Sequence, residues 1–201
     1  MYPEIDWAKE PDLEGVRNAF RLMEVDFSGA EMKLEALAAS GSIASMFYLA
    51  DAYALGRFQH QRDLETAKKW YAEAENHGWR PGSFILGRIL FDQGLHKEAF
   101  LAFQRSAAVI YIPGVFWYGL CKVKGIGTSV DEHEGIRHIE VAAYQGHLLA
   151  RRKLIGIYLS GKFGPSKFLA GLLFIPILFG QMLKVIVRGE WREHSFEDRI
   201  M

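Results

Sequence analysis

Three octets, "LADAYALG" (Leu49–Gly56), "YGLCKVKG" (Tyr118–Gly125) and "LIGIYLSG" (Leu154–Gly161), align without a gap. Each opens on a large residue, carries apolar side chains at helical spacing and closes on glycine. Each therefore reads as a helix stopped where glycine supplies the left-handed conformation. "LGRILFDQG" (Leu86–Gly94) is a fourth copy with one extra residue. A second helix follows the copies that end at Gly56, Gly94 and Gly125. These helices read "DLETAKKWYAEAENHG" from Asp63, "LHKEAFLAFQRSAAV" from Leu95 and "DEHEGIRHIEVAAYQGH" from Asp131. An earlier "AEMKLEALAASGS" from Ala30 fits the same second-helix slot, with "PDLEGVRNAFRLMEVD" as a partner helix before it.

The markers Gly41, Gly78, Tyr111 and Gly146 lie 37, 33 and 35 residues apart. Two helices per period of about 35 residues predict an all-α fold, a right-handed α-solenoid of about four antiparallel helix hairpins. Ala38, Ala74, Ala107, Ala108, Ala142 and Ala143 let neighbouring helices approach closely, while Trp70 and Phe103 fill wider gaps. Asp131 with Glu134 makes a D-x-x-E capping box, and Asp63 caps its helix in the same way.

The frame "LxxxYxxG", a loop, then "D…A…WY…A…G" resembles the Sel1-like repeat, a relative of the tetratricopeptide repeat. One unit carries Leu49, Tyr53, Gly56, Asp63, Ala67, Trp70, Ala74 and Gly78. Another carries Gly125, Gly127, Asp131, Ala142, Ala143, Gly146 and His147. The unit between them departs, with almost no inter-helix loop and Ala102 in place of the tryptophan, and is closer to a plain tetratricopeptide unit. The match covers residues 30–165. The resemblance implies a non-enzymatic adaptor or scaffold that binds proteins and uses no cofactor. It also permits a membrane-attached accessory factor serving an envelope or polysaccharide assembly system. The expected organisation is an N-terminal segment with one helix (1–29), the repeat solenoid (30–165), an apolar C-terminal helical segment (166–188) and a charged tail (189–201).

Lys plus Arg equals Asp plus Glu at 24 each in 201 residues, so no global field favours nucleic acid. The run Arg151, Arg152 and Lys153 reads as a solvated helix face. Cys121 is a lone cysteine within an apolar pattern and reads as a small buried hydrophobe. The acidic N-terminus "MYPEIDWAKEPDLEG" has no apolar export signal, which leads to the expectation of a cytoplasmic protein, soluble, peripheral to a membrane or tail-anchored in one.

Several motifs imitate chemistry. "HEGIRH" (His133–His138) is one residue too long for a zinc-protease helix. Five residues turn a helix by about 500°, leaving His133 and His138 roughly 140° apart. "GIYLSGKF" (Gly156–Phe163) begins like a phosphate loop, but Phe163 replaces the hydroxyl and the glycine-to-glycine stretch lies on a helix. Gly125-x-Gly127 follows a helix and lacks the third glycine of a dinucleotide fold. His60, His77, His96, His147 and His194 are scattered without partners in sequence. No metal site is expected.

In a hairpin solenoid the first helices line the concave face. Phe47, Phe84, Phe116 and Arg152 stand two positions before the frame residue. Asp51, Arg88 and Leu120 stand two positions after it, with Gly156 as the fourth member. These are the candidate partner-binding residues, a stripe suited to an apolar partner helix; the competing reading packs the phenylalanines between units.

The other candidate surface is "KFLAGLLFIPILFGQMLKVIV" (167–187). Phe168 to Val187 measures about 30 Å as one helix, a bilayer core. Pro176 at its midpoint predicts a kink or a break into two helices, and Gln181, Lys184 and Arg188 make the second half amphipathic. Phe168, Leu172, Ile175 and Phe179 mark its apolar face. Three readings stand at this level: a self-cap on the solenoid, a patch that docks a partner, another copy or the membrane surface, and a tail anchor.

Overall fold

The computed structural model describes residues 5–23, 25–56 and 61–188, so His60, His194 and the charged tail 189–201 lie outside the described residues. Among the described residues ten α-helices follow a single 3₁₀ turn at Trp7–Lys9, and there is no strand. They are α1 (Leu13–Leu22), α2 (Phe27–Ala39), α3 (Ile43–Leu55), α4 (Leu64–Asn76), α5 (Gly82–Asp92), α6 (His96–Ala108), α7 (Ile112–Lys124), α8 (Glu132–Tyr144), α9 (Leu148–Leu159) and α10 (Pro165–Arg188). Two compact units, Tyr2–Ile89 and Leu90–Met201, divide the chain.

In the first unit α1 packs on α2, α2 on α3 and α3 on α4, with α1 also reaching α3. In the second, α6 packs on α7, α7 on α8, α8 on α9 and α9 on α10. Contacts that join sequence neighbours are what stacked hairpins require, because each hairpin buries its apolar faces only against the next. The alignment of the three octets and the nine-residue copy places the first-helix ends correctly. Gly56, Gly94, Gly125 and Gly161 have φ between 63° and 76°.

Second-helix ends follow one backbone pattern. Gly41, Gly78 and Gly146, with φ of 91–93°, each donate to the carbonyl three residues back, and the next residue donates to the carbonyl five back. This is the Schellman closure. The third copy is built on Ile110, whose N–H reaches the Ala107 carbonyl at 3.0 Å while that of Tyr111 reaches Ser106 at 3.1 Å. Ile110 has φ 55°. The glycine slot is thus residue 110 rather than Tyr111, and a β-branched residue occupies it.

Side-chain caps supply the starts. Asp131 accepts from the Glu134 N–H at 3.0 Å, and Asp63 accepts from Glu65 and Thr66 at 3.0 and 3.1 Å. Two caps come from afar. The Glu10 carboxylate accepts from the Ser42 hydroxyl and the Ala44 N–H at the start of α3, and Glu75 of α4 accepts from the Ser83 N–H and hydroxyl at the start of α5. A carboxylate at a helix N-terminus satisfies orphan donors and complements the helix dipole.

The packing slots mostly match their assignment. Ala38, Ala74, Ala142, Ala143 and Phe103 are buried. Ala108 is exposed, and Ala102 and Ser106 take the close-approach positions on α6 instead. Trp70 is half-buried while Tyr71 beside it is fully buried. Pro176 falls inside α10, which continues as one 24-residue helix rather than a pair.

Ile110 leads to a direct test. A left-handed conformation costs an L residue roughly 1–2 kcal/mol, and its side chain is 66% exposed, so little packing is at stake. Ile110→Gly should raise stability by about 1 kcal/mol, or roughly 2–4 °C in Tm. Ile110→Ala, which keeps the Cβ, should recover little of that in the same thermal melts.

Candidate functional site

α7 begins with Pro113 in its first turn, where a fixed φ and a missing N–H cost nothing, and ends with Lys122 and Lys124 against its negative pole. Gly119 of α7 and Gly135 of α8 meet backbone to backbone. A Cβ on either would lie 2.6 Å from the other's carbonyl oxygen. The hairpin is clamped further by Glu134, which accepts from the Tyr118 hydroxyl at 2.7 Å and pairs with Lys122 at 2.8 Å. The Lys122 hydrogen bond, then that of Tyr118, pull the Glu134 carboxyl from its ordinary 4.5 to about 2.

α9 is capped by His147, whose Nδ1 accepts from the Ala150 N–H at 3.2 Å. Arg151 is buried and donates to the Ala143 carbonyl at 3.0 Å, at the negative end of α8. Leu154, Ile155 and Tyr158 are buried on the same helix. The opposite side of α9 faces α7 across a groove of about 570 Å³. Its walls include Phe116 and Leu120 from α7, Ile136 from α8, Ile157 from α9 and Phe163 from the turn after α9. Lys124, Arg152 and Lys153 stand along it. Glu132 also lines it and is engaged by Lys162 at 2.6 Å. Lys124, Arg152 and Lys153 have no ion-pair partner among the described residues.

Three members of the candidate stripe, Phe116, Leu120 and Arg152, line this groove together with Gly156. The reading of the phenylalanines as an exposed stripe requires correction. Phe47, Phe84 and Phe116 are all buried, at 1%, 6% and 5% exposure, so the phenylalanines are core rather than an open row. Phe47 sits edge-on to Trp79 at 5.2 Å, and Phe116 tilts against His147 at 5.0 Å. Arg88 is 3% exposed, whereas Asp51 and Leu120 are half-buried and Arg152 is exposed. An aromatic residue at helical spacing buries its area wherever a neighbouring hairpin offers a surface, which overrides its position on the first helix.

Lys124, Lys153, Ile136, Ile157 and the Glu132–Lys162 pair join the site without having been singled out for it. Lys153 carried a signal in the Arg151–Lys153 run, where burial of Arg151 separates one structural cation from two that face the groove. Ile136 and Glu132 come from α8, and no pattern along the first helices contains them.

The chemical look-alikes have structural explanations. His138 contacts the Glu134 carbonyl through Nδ1 at 2.9 Å and meets the Tyr118 ring edge-on at 4.8 Å. Burial pushes the Cys121 thiol up to about 11. The glycine-to-glycine stretch from Gly156 runs through the end of α9, where helix bonds occupy the backbone. Gly127 packs against the start of α6, where a Cβ would lie 2.0 Å from the His96 carbonyl oxygen.

The apolar candidates Phe168, Leu172, Ile175 and Phe179 are exposed on α10. That helix is held by Lys167, which donates to Glu140 of α8 at 2.6 Å and to the Tyr158 hydroxyl at 2.9 Å, while Tyr158 itself donates to Glu140. Burial, then the Glu140 contact, push the Tyr158 phenol up to about 12.

No protein-family model matches the chain. Among solved structures it is similar to a Sel1 repeat protein from Oxalobacter formigenes, with 18% identity over 75% of this chain and 64% of that one at a TM-score of 0.57. It is also similar to a protective antigen present in uropathogenic Escherichia coli strains and displaying an SLR fold, with 24% identity over 81% and 38% of the two chains at a TM-score of 0.58. The chain has the Sel1-like repeat fold. It is a helical-repeat protein, and it spans less than two thirds of the length of either protein.

Two measurements test the hairpin that carries the groove. Gly135→Ala adds about 1 kcal/mol of helix propensity, yet the new Cβ would lie 2.6 Å from the Gly119 oxygen and 2.8 Å from the Val123 nitrogen. The net expectation is a loss of about 1–3 kcal/mol in urea unfolding. The Glu134 carboxyl is lowered on folding, so its contribution is complete above its ordinary 4.5 and is lost as pH falls towards about 2. Stability should decline across that window, and Glu134→Gln should flatten that part of the pH profile.

Proposed function

We propose that the protein is a non-enzymatic interaction scaffold whose α7–α9 groove takes an acidic, apolar segment of a partner protein. The observation that carries this reading is the pairing of an apolar wall, Leu120, Ile136 and Ile157, with Lys124, Arg152 and Lys153, cations that no carboxylate of the described residues neutralises. Apolar side chains anchor such a segment by losing water, while Asp or Glu beside them meets the cations and sets orientation and encounter rate. Glu132 is already engaged by Lys162 and leaves the field of the groove positive.

A second reading, attachment to a membrane in the manner of an accessory factor, is supported by α10. Its Pro165–Lys184 stretch has a mean hydropathy of 1.6 and is only 6% buried. The two readings use different surfaces of the second unit and are compatible.

Selection from a random-peptide display library on the full chain tests the groove. Enriched peptides should combine Asp or Glu with Leu or Phe. Their affinity should fall with added salt, and by about ten-fold or more in an Arg152→Glu, Lys153→Glu variant of unchanged thermal stability. Enrichment of basic peptides, or binding indifferent to charge reversal, would overturn the reading.

A further inference from the structure

α10 has its polarity turned inside out. Between Phe168 and Leu183 the only polar side chain is Gln181. It belongs, with Lys167, Ala170, Gly171, Phe174 and Leu178, to the less exposed stripe at spacings of one, three and four residues. Gly171 lets that stripe close on α9, since a Cβ there would lie 3.0 Å from Tyr158 and 3.2 Å from Leu159. Lys167 is satisfied by Glu140 and Tyr158. The outward residues are apolar without interruption, with Leu173 71% and Phe179 69% exposed. A helix at the end of a repeat array ordinarily presents a polar face to water, whereas between Lys167 and Leu183 this one turns its polar groups to the protein and its hydrocarbon to the outside.

The charge of the surrounding sequence identifies what covers that face. Residues 141–189 contain seven Lys and Arg and no Asp or Glu, leaving 17 basic against 24 acidic residues in the remainder. Lys162, exposed although paired with Glu132, precedes the helix, and the exposed Lys184 lies near its far end. An uninterrupted apolar face bracketed by cations is the pattern of a helix that partitions into an anionic lipid surface. A second copy fits less well: with no polar side chain between Phe168 and Leu183 on the outward side, nothing sets the register of a two-fold contact through this face.

Docking on α9 decides how the helix meets the bilayer. The inner stripe follows α9 from Lys167 beside Tyr158 to Gln181 beside Gly146, where a Cβ would lie 3.9 Å from its Nε2. A spanning α10 that kept this contact would carry Arg151, Arg152 and Lys153 of α9 into hydrocarbon, where such charges are expensive. We infer that α10 lies in the plane of an anionic phospholipid membrane, its outer face sunk to the headgroup–acyl boundary and its inner stripe still packed on α9. This rests on the membrane-attachment reading and specifies its lipid class and geometry.

Flotation of the full chain with vesicles separates the two levels. Binding is expected to vesicles of phosphatidylcholine with about a third phosphatidylglycerol, to weaken about ten-fold or more on pure phosphatidylcholine, and to weaken with salt. Leu173→Glu with Phe179→Glu should abolish it while leaving the circular dichroism and thermal midpoint unchanged. Failure to float with either vesicle, or a dimer that these substitutions dissociate without any vesicle binding, would overturn membrane attachment itself. Depth is read with an environment-sensitive dye on Phe168→Cys, Ile175→Cys or Met182→Cys in a Cys121→Ala background, using shallow and deep lipid quenchers. Equal, shallow quenching at all three positions is expected. Deep quenching at position 175 alone would mean that the helix spans, overturning the in-plane geometry while attachment stands.

Discussion

The second unit depends on how closely α7 and α8 approach. Gly119 and Gly135 leave no room for a single added carbon between their backbones, so the hairpin closes on main chain rather than on interdigitated side chains. With the two axes drawn together there, the larger residues on either side, Phe116, Ile136 and Ile139, fill the space towards α9. The Tyr118–Glu134–Lys122 cluster then holds the same pair of helices through charge and hydrogen bonding. Helix interfaces of this kind are specified by what is missing as much as by what is present, because one methyl group at the contact point would force the whole pair apart.

That geometry leaves two surfaces with different solvation. The groove beside α7 and α9 is lined by apolar side chains and bordered by Lys124, Arg152 and Lys153. The outer face of α10 has no such border along its length. Its two interior polar residues, Lys167 and Gln181, both belong to the side that meets the rest of the protein. One contact recurs between helices within each unit: Tyr53, Tyr118 and Tyr158 on first helices each donate to a second-helix glutamate, Glu31, Glu134 and Glu140. Burial first, and the carboxylate second, raise all three phenols above their ordinary value.

Much of this was legible in the residues. The octet frame placed four first-helix ends, and Asp63 and Asp131 announced the starts of α4 and α8, because caps and left-handed closures are local events with strong residue preferences. The groove was partly legible: Phe116, Leu120 and Arg152 were found, whereas Ile136 and Glu132 come from a different helix and Phe163 from the turn after α9. Ile110 escaped detection because its slot is defined by hydrogen bonds to Ala107 and Ser106, and a β-branched residue is the last expected there. The caps from Glu10 and Glu75 escaped for a related reason, since side chains reaching another element leave no short-range signature.

The repeat, its period, the helical class and the apolar character of residues 168–183 were determined by the sequence alone, since each follows from residue preferences acting within a turn or two of helix. Only the tertiary structure decided which side of each helix is inside. Phe47, Phe84 and Phe116 became core because neighbouring elements covered them, Arg151 parted from Arg152 because the end of α8 met one and not the other, and α10 remained one helix through Pro176. Burial is a property of the surface a side chain meets, and that surface is supplied by residues distant in sequence, so no local pattern contains it.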